Sequence, residues 1–246
     1  MKVTTTGIKN LDEWLMNGIP LGYTTLITGN PGAGIELFAK QFAGSHEEDE
    51  NVVYFTTAER DEDIYSIFSD FKWRADIKIV NIGSLYYRNV LEKELAISKY
   101  REEGIPVGEL LTPSRYSPSK KIDFMTMITY EISKLKPPFR LVIDSLDFFL
   151  TLEDQSRIIS SLRTIKSHTQ HSDGTALITI ISSEGSQAVE MAIEEIVDII
   201  FSMEMIRSGT GIERLFTIKK FRNHPEKTGI FRYDVTNSGI NIKPFK

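Results

Sequence analysis

Short apolar segments rich in β-branched residues alternate with amphipathic segments along most of the chain. The apolar segments are typical of buried strands and cover residues 24–28, 51–57, 77–82, 139–146 and 174–182. Apolar residues recur at helical spacing in residues 61–71, 121–136 and 153–170. Because strands buried on both faces and separated by helices form right-handed βαβ units, this pattern predicts an α/β fold with a mainly parallel sheet.

The end of the chain has a different pattern, with four short apolar segments separated by turn-forming residues. These segments cover residues 197–205, 215–221, 229–235 and 239–245. We expect them to be antiparallel strands that extend one edge of the parallel sheet. Residues 1–246 are therefore predicted to form a single domain, with its ligand chemistry at the carboxyl ends of the parallel strands.

Residues 83–120 fit the alternation less well and are predicted to be an insertion or a mobile arm. Residues 90–103 carry charges of both signs on a predicted exposed helix, and three prolines follow at 106, 113 and 118. So long a segment is uncommon unless it binds something or is disordered, and the sequence leaves both interpretations open. Its apolar and aromatic residues are numerous enough for a protein-binding surface: Tyr86, Tyr87, Leu91, Leu95, Tyr100, Leu110, Leu111 and Tyr116.

Residues 26–37, LITGNPGAGIEL, join a predicted strand to a predicted helix through a glycine-rich loop. Gly29 and Gly34 have the spacing of the phosphate-binding pattern G-x-x-x-x-G-K-[ST], whose backbone N–H groups hold phosphates. Ile35 and Glu36 stand where that pattern has its lysine and its hydroxyl residue. The loop can still form an anion-binding nest, but it lacks the cation and the metal-binding hydroxyl.

Composition narrows the function classes. The 246 residues carry a formal net charge of −5 and include no cysteine, so we expect no general attraction to nucleic acid and no thiolate or disulfide chemistry. The apolar runs are far shorter than the roughly 20 residues that span a bilayer, and the N-terminus does not resemble a signal peptide. The four histidines show no metal-ligand spacing. We therefore predict a cytoplasmic protein without membrane contact and without a metal site of its own.

Several motifs, in a fixed order, resemble those of one family. They are TTTGIKNLDEWLMNGIPLGYTTLITGNPGAG, VVYFTTAERDEDI, LVIDSLDFF and IKKFRNHPEKTGIFRYDVTNSGINIKPF. Together they resemble the KaiC-like branch of the RecA superfamily of ATPases, over most of the chain except residues 83–120. The resemblance implies a three-layer RecA-like P-loop NTPase fold, with a mainly parallel central sheet and antiparallel C-terminal strands.

The resemblance makes the glycine-rich loop a P-loop by descent, with a degenerate Walker A motif. Its residues are Gly29, Asn30, Pro31, Gly32, Ala33, Gly34, Ile35 and Glu36. In the family the lysine bridges the β- and γ-phosphates, and the hydroxyl binds Mg²⁺. At an effective dielectric of about 20, a carboxylate about 4 Å from a phosphate costs about 4 kcal/mol, and the lost lysine contact adds about 1.5–3 kcal/mol. We therefore expect no cofactor, or ATP with Mg²⁺ bound only weakly.

Lys40 is the first lysine after this loop. It lies five residues beyond Ile35 and points about 140° further around the helix, so we do not expect it to replace the missing lysine. It also lies four residues after Glu36, and we expect these two side chains to pair.

The resemblance implies roles for residues outside the loop. Glu59 matches one of two adjacent glutamates, of which one polarises the attacking water. Asp144 matches the aspartate that holds the metal-bound water, and Ser183 matches a phosphate-sensing polar residue. Lys220 and Arg222 match a K-x-R segment that reaches across a subunit interface towards the neighbour's γ-phosphate.

Structural interpretations of the same residues stay open. Ala58 replaces the second glutamate, and Glu59 can be a carboxylate of an acidic first helical turn. Asp144 can be satisfied by neighbouring backbone or hydroxyl groups, whereas Lys220 and Arg222 can form a solvated strand face.

The substitutions favour a pseudo-ATPase that acts by binding a protein or peptide, by assembling into a homo-oligomer, or by both, in a regulatory capacity. One alternative is an unorthodox, weakly binding ATPase that holds phosphates by backbone groups alone, with a lysine such as Lys220 supplied by another copy. A DNA-binding recombinase paralogue is less favoured, because residues 183–190 contain no Lys or Arg to contact DNA.

Overall fold

The computed structural model describes residues 2–103, 123–181, 187–209 and 211–244. Ser183 and the proline-containing part of the predicted insertion, residues 104–120, lie outside these ranges. The predictions made for them stay predictions.

The described part of the chain contains eleven strands, nine of them in one sheet. A separate antiparallel pair lies near the N-terminus, β1 (Val3–Thr4) and β2 (Ile19–Pro20). The large sheet consists of β3 (Thr24–Gly29), β4 (Asn51–Thr56), β5 (Lys78–Asn81), β6 (Phe139–Asp144), β7 (Thr175–Ile181), β8 (Ile199–Ser208), β9 (Gly211–Phe221), β10 (Gly229–Thr236) and β11 (Gly239–Pro244). Its strand order is β11–β10–β9–β8–β3–β7–β6–β4–β5.

The sheet is parallel from β8 to β5 and antiparallel from β8 to β11. This confirms the prediction of a mainly parallel sheet with antiparallel C-terminal strands. The cause is the length of the connections, because a parallel neighbour requires a crossover of a dozen or more residues. The connections between consecutive strands from β8 to β11 are too short for a crossover, so each strand pairs with its predecessor in the opposite direction.

Helices cover both faces of the sheet. They are α1 (Lys9–Trp14), α2 (Ile35–Gly44), α3 (Asp61–Phe71), α4 (Ile82–Glu103), α5 (Phe124–Ser133), α6 (Asp147–Leu152), α7 (Gln155–His171) and α8 (Gln187–Ile196). One buried cluster joins α1, α2 and α3 to one face, and a second joins α5 to α8 and the start of α4 to the other. Two helical layers around one sheet give the three-layer α/β architecture that the motifs implied.

Helix α4 leaves the body of the protein after its first turn. Ile82 is fully buried, and Leu85 and Tyr86 pack against the second core cluster. From Tyr87 onwards most of the described side chains are exposed. The segment predicted as an exposed helix over residues 90–103 is helical, and the helix begins earlier, at Ile82.

A buried ion pair joins the N-terminal segment to the sheet. Arg140, at the amino end of β6, is fully buried, and its Nη2 lies 2.9 Å from Oε2 of Glu50. The same guanidinium donates to the hydroxyl of Thr4, at 2.6 Å, and to the main-chain oxygen of Phe42. Because three separate segments of the chain supply partners for this buried guanidinium, the pair is well satisfied.

Candidate functional site at the carboxyl ends of the parallel strands

The glycine-rich loop lies between β3 and α2, at the carboxyl end of a central strand. Gly32 and Gly34 both have a φ of +83°, a conformation that favours glycine. The Asn30 side chain forms two 3.0 Å hydrogen bonds with the main chain of Met205 on β8. The hydroxyl of Tyr233 on β10 donates to the main-chain oxygen of Ala33 at 2.5 Å. Two strands of the antiparallel part therefore fix the loop.

Backbone N–H groups of the loop remain available for an anion. Within the described ranges, those of Gly32, Gly34, Ile35 and Glu36 have no hydrogen-bond partner in the protein. Three of these groups belong to the first turn of α2 or to the residue just before it, where the helix dipole favours negative charge. The loop thus keeps the backbone geometry of an anion nest.

Ile35 and Glu36, which follow the last glycine of the loop, lie in different environments. Ile35 is 4% exposed and belongs to the core, close enough to Gly29 that a Cβ there would lie 2.8 Å from its Cγ2. Glu36 is exposed. Its negative charge contributes to raising the pKa of Tyr54 and, after the larger effect of burial, that of Tyr233 to about 12. The loop region therefore carries an anion of its own, and Ile35 supplies packing.

Lys40 does not pair with the Glu36 carboxylate, so that expectation was wrong. Its Nζ donates to Oε1 of Glu59 at 2.6 Å and approaches only the main-chain oxygen of Glu36, at 3.5 Å. Lys40 is buried within α2, and its side chain extends to the loop that follows β4. The angle along one helix could not reveal this, because the partner comes from a neighbouring connection.

Glu59 consequently belongs to a partly buried ion pair. Its carboxylate is about one-third exposed, whereas the Lys40 side chain is almost fully buried. The α3 helix begins two residues later, and its N-cap residue, Arg60, makes no side-chain capping bond. Glu59 therefore does not cap this helix, and its structural partner is the ammonium of Lys40.

Asp144 ends β6 and is buried, with a donor on each carboxylate oxygen. The Tyr54 hydroxyl donates to Oδ2 at 2.5 Å, and the Thr179 hydroxyl donates to Oδ1 at 2.8 Å. Burial, and after it the negative charges of Asp144, Glu59 and Glu36, raise the pKa of Tyr54 well above its ordinary value. The interpretation of Asp144 as an aspartate satisfied by neighbouring hydroxyl groups describes this geometry.

Sequence reasoning did not single out Tyr54 or Thr179. Both lie on buried strands that neighbour β6, at the level of its carboxyl end. A buried tyrosine usually finds a partner for its hydroxyl, so a tyrosine in an otherwise apolar strand was the available signal.

Lys220 and Arg222 lie at the opposite end of the sheet from the loop. Arg222 Nη1 donates to Asp198 at 2.9 Å, and Asp198 in turn accepts from the main-chain N–H of Thr24, the first residue of β3. Lys220 Nζ donates to the main-chain oxygen of Glu194 in the last turn of α8, at 2.6 Å. Both side chains therefore have partners within the chain, Arg222 is also exposed to solvent, and neither reaches the loop of its own chain.

Lys220 interacts electrostatically with the carboxylate of Asp198, which two other cations contact directly. Lys166 Nζ lies 2.9 Å from it, on the same oxygen that Arg222 contacts. Burial, and then the positive charge of Lys166, lower the pKa of Lys220. The cluster stabilises the carboxyl end of α8, because Lys220 and Lys166 both donate to its last main-chain oxygens.

The described residues contain neither a cluster of metal-ligating side chains nor a membrane-spanning helix. No group of three or more histidine, aspartate or glutamate side chains is placed there to hold a metal ion. Nor does any helix among them have the length and apolar character to cross a membrane.

Comparisons with known proteins agree with the arrangement of the loop and strands. Residues 4–246 match the family model described as "ATPase: KaiC". The chain is 27% identical to the circadian clock oscillator protein KaiC of Parathermosynechococcus lividus, over 97% of this chain and 42% of that protein. It is 25% identical to UPF0273 protein MJ1359 of Methanocaldococcus jannaschii, over 100% of this chain and 98% of that protein.

Among solved structures, the KaiC-like protein PH0186 of Pyrococcus horikoshii OT3 superposes with a TM-score of 0.69 and 22% identity, over 99% of both chains. At that identity the likeness shows the fold. The chain spans less than half the length of the circadian clock KaiC proteins that it matches. Because the family model covers almost the whole chain, the protein belongs to the KaiC-like ATPase family of the RecA superfamily.

Proposed function

We propose that this protein is a pseudo-ATPase: a KaiC-family domain with a degenerate P-loop that acts by binding a protein or peptide, or further copies of itself, in a regulatory capacity. The observation that carries the proposal is that, among the residues that the structure describes, no lysine ammonium is free to bind a phosphate at the loop. Ile35 is part of the core, and the ammonium of Lys40 is bound to Glu59. A Mg²⁺–nucleotide complex would meet the Glu36 carboxylate without the lysine charge that normally binds its phosphates and without the hydroxyl that normally binds its metal.

The exposure of Glu36 decides how strongly its charge weakens nucleotide binding. Between two like charges about 4 Å apart, repulsion is about 1 kcal/mol in water and about 4 kcal/mol at an effective dielectric of about 20. Since Glu36 is exposed, its repulsion falls towards the lower value. Adding about 1.5–3 kcal/mol for the lost charged hydrogen bond still gives a loss of about a hundredfold or more in affinity.

Helix α4 supports the partner-binding part of the proposal. Tyr87 is 64% exposed, Leu95 is 60% exposed, and Val90 and Leu91 between them are each 38% exposed. Spacings of three and four residues put these side chains along one side of the helix. A contiguous apolar surface of this kind is typical of a protein-binding site.

One observation favours the alternative of a weakly binding, unorthodox ATPase. The four loop N–H groups without protein partners could contact phosphate oxygens through the backbone alone. The two hypotheses differ in the affinity for ATP that they require. They also differ in how replacing Glu36 should change the binding and turnover of ATP.

Titration of the protein with ATP and Mg²⁺, followed by calorimetry, tests the proposal. We expect a dissociation constant weaker than about 10 μM for the wild type. Glu36→Thr removes the exposed anion without changing the core, and we expect it to tighten binding about tenfold. The double variant Ile35→Lys, Glu36→Thr should tighten binding further if the new lysine can leave the core.

Glu62→Thr is the matched control, because it removes the same charge from an exposed position in the first turn of α3. It should leave ATP affinity unchanged. Wild-type binding tighter than about 10 μM, or turnover of ATP that Glu36→Thr does not increase, would contradict the pseudo-ATPase proposal.

A further inference from the structure

The buried hydroxyl of Tyr54 donates to the carboxylate of Asp144 at 2.5 Å. Burial, and after it the charges of Asp144, Glu59 and Glu36, raise the pKa of this tyrosine. Asp144 comes from β6, Glu59 from the loop after β4 and Glu36 from the first turn of α2. Oxygen ligands of this kind are the ones that Mg²⁺, Mn²⁺ and Ca²⁺ prefer.

Asp144, Glu59 and Glu36 are called the acidic region below. Lys40 provides a positive charge beside it. The residue is 2% exposed, and a buried ammonium is unfavourable unless a counter-ion and acceptors surround it. Glu59 supplies the counter-ion at 2.6 Å, and the main-chain oxygen of Glu36 provides a longer contact. The ammonium therefore contacts the carboxylate of Glu59 and the main chain of Glu36.

We propose that Lys40 is the resident cation of this site: its ammonium balances the carboxylate of Glu59 and thereby keeps divalent metal ions away from Glu59, Glu36 and Asp144. A second cation within a few ångströms of the ammonium would be repelled, and Glu59 cannot serve both. The inference rests on the proposed function and deepens it. It explains what balances the negative charge of these residues when no Mg²⁺–nucleotide complex is bound.

Tyr54 has a secondary part in this arrangement. Its hydroxyl occupies one oxygen of Asp144, and Thr179 occupies the other. Because a hydroxyl carries no net charge, it balances none of the negative charge and presents a smaller barrier to a metal than the ammonium does. Removal of the tyrosine hydroxyl alone should therefore not create a metal site.

In the wild-type arrangement no three acidic or histidine side chains of the described residues are placed to share a metal. The exposed Glu36 and the partly exposed Glu59 have flexible side chains that can turn once the ammonium is gone. Lys40→Met removes the charge while retaining a side chain of similar length and apolar character. This variant should gain a divalent-cation site.

The experiment is a Mn²⁺ titration without nucleotide, in which free Mn²⁺ is measured by electron paramagnetic resonance. We expect Lys40→Met to bind one Mn²⁺ at least about tenfold more tightly than the wild type. Adding Glu59→Gln to it should abolish this gain. Tyr54→Phe, and Lys9→Met as a control at an exposed lysine, should behave as the wild type.

Lys40→Gln is a second neutral variant that can still donate a hydrogen bond to Glu59, and we expect the same gain from it. Wild-type binding of Mn²⁺ that Glu59→Gln removes would overturn the proposal, as would folded Lys40→Met and Lys40→Gln that bind no more Mn²⁺ than the wild type. Unfolding of both variants that Mn²⁺ does not reverse would also overturn it. Tight ATP binding by the wild type would instead contradict the proposed function and leave these Mn²⁺ results unaffected.

Discussion

At the scale of single residues, Tyr54 joins strand packing to the chemistry of the site. It lies on β4 beside β6, and its hydroxyl donates to Asp144 at 2.5 Å within a fully buried environment. An ionised tyrosine there would face the negative charges of Asp144, Glu59 and Glu36. The folded state therefore holds the phenol proton more strongly than the unfolded chain does.

This difference predicts a pH dependence of stability. In the unfolded chain the tyrosine releases its proton near its ordinary pKa of about 10, whereas in the folded state the raised pKa keeps it neutral. The free energy of unfolding should therefore be unaffected by Tyr54 below about pH 10 and fall as the pH rises above that value. In Tyr54→Phe this fall should be less steep by up to about 1.4 kcal/mol per pH unit.

Urea unfolding of the wild type and Tyr54→Phe between about pH 9 and pH 11 measures the two slopes. Tyr87→Phe serves as the control, because that tyrosine is 64% exposed, and its slope should match the wild type. Equal slopes for Tyr54→Phe and the wild type would show that the Tyr54 hydroxyl is not held as the structure describes.

At the scale of elements, helix α2 fixes an edge of the sheet as well as the glycine-rich loop. The Gln41 side chain accepts from the main-chain N–H of Ile240 on β11 at 2.7 Å and donates to the main-chain oxygens of Ile240 and Gly7. Asn10 of α1 donates to the main-chain oxygen of Ile242 on the same strand. Main-chain groups of Ile240 and Ile242 at this edge are therefore occupied by side chains, which opposes pairing of this part of the strand with another chain.

Gln41→Leu should destabilise this edge. Buried polar groups of β11 and of Gly7 would lose their partners, and we expect a loss of about 2–3 kcal/mol in the free energy of unfolding. The amide of Ile240 should also exchange faster with solvent in the native state. Denaturant unfolding and hydrogen exchange measure the two effects.

Gln170→Leu is the control, because Gln170 is exposed on α7. Its stability and its exchange at Ile240 should remain close to those of the wild type. An unchanged exchange rate at Ile240 in Gln41→Leu would mean that this edge is protected by something other than the glutamine.

At the scale of the whole molecule, the acidic region and the basic cluster lie at opposite ends of the sheet. The acidic region lies near the carboxyl end of β3. The basic cluster contacts Asp198, which accepts a hydrogen bond from Thr24, the first residue of β3. A strand of this length separates them by about 17 Å, so Arg222 can reach a P-loop only in another copy. Such a head-to-tail contact between copies would build a ring or a filament.

We expect the protein to self-associate without nucleotide and Arg222→Gln to weaken that association. Arg222 is partly exposed, and Lys166 remains on Asp198 in the variant, so the fold should be retained. Light scattering over a range of protein concentrations, with and without ATP, measures the mass. Lys243→Gln, at an exposed lysine on β11, is the control. A strict monomer at every concentration would rule out a role for Arg222 across an interface.

Much of the fold was predictable from the sequence. Local sequence patterns predict the parallel strands, the antiparallel C-terminal strands and the helices. The reason is that burial of a strand on both faces and the length of a connection both depend on consecutive residues. The glycines at 32 and 34 marked the loop for the same reason. The predictions for Ser183 and for residues 104–120 fall outside the described residues and stay predictions.

The details of the candidate site were less predictable, because its contacts join distant parts of the chain. The sequence placed Lys40 four residues after Glu36, yet the structure pairs it with Glu59, nineteen residues away. Likewise Lys220 and Arg222 matched a motif, but their contacts with α8 and Asp198 depend on how strands and helices pack.

The sequence by itself determined the α/β class, the position of the loop and the presence of Ile35 and Glu36 after its last glycine, because these depend on residue identity and local spacing. Only the tertiary structure decided which charges meet. Tyr54 and Thr179 bind Asp144, and Lys40 binds Glu59, because neighbouring strands and α2 bring them together. In a buried region of low dielectric, each charge is fixed by the partner that packing provides, and no local pattern encodes that choice.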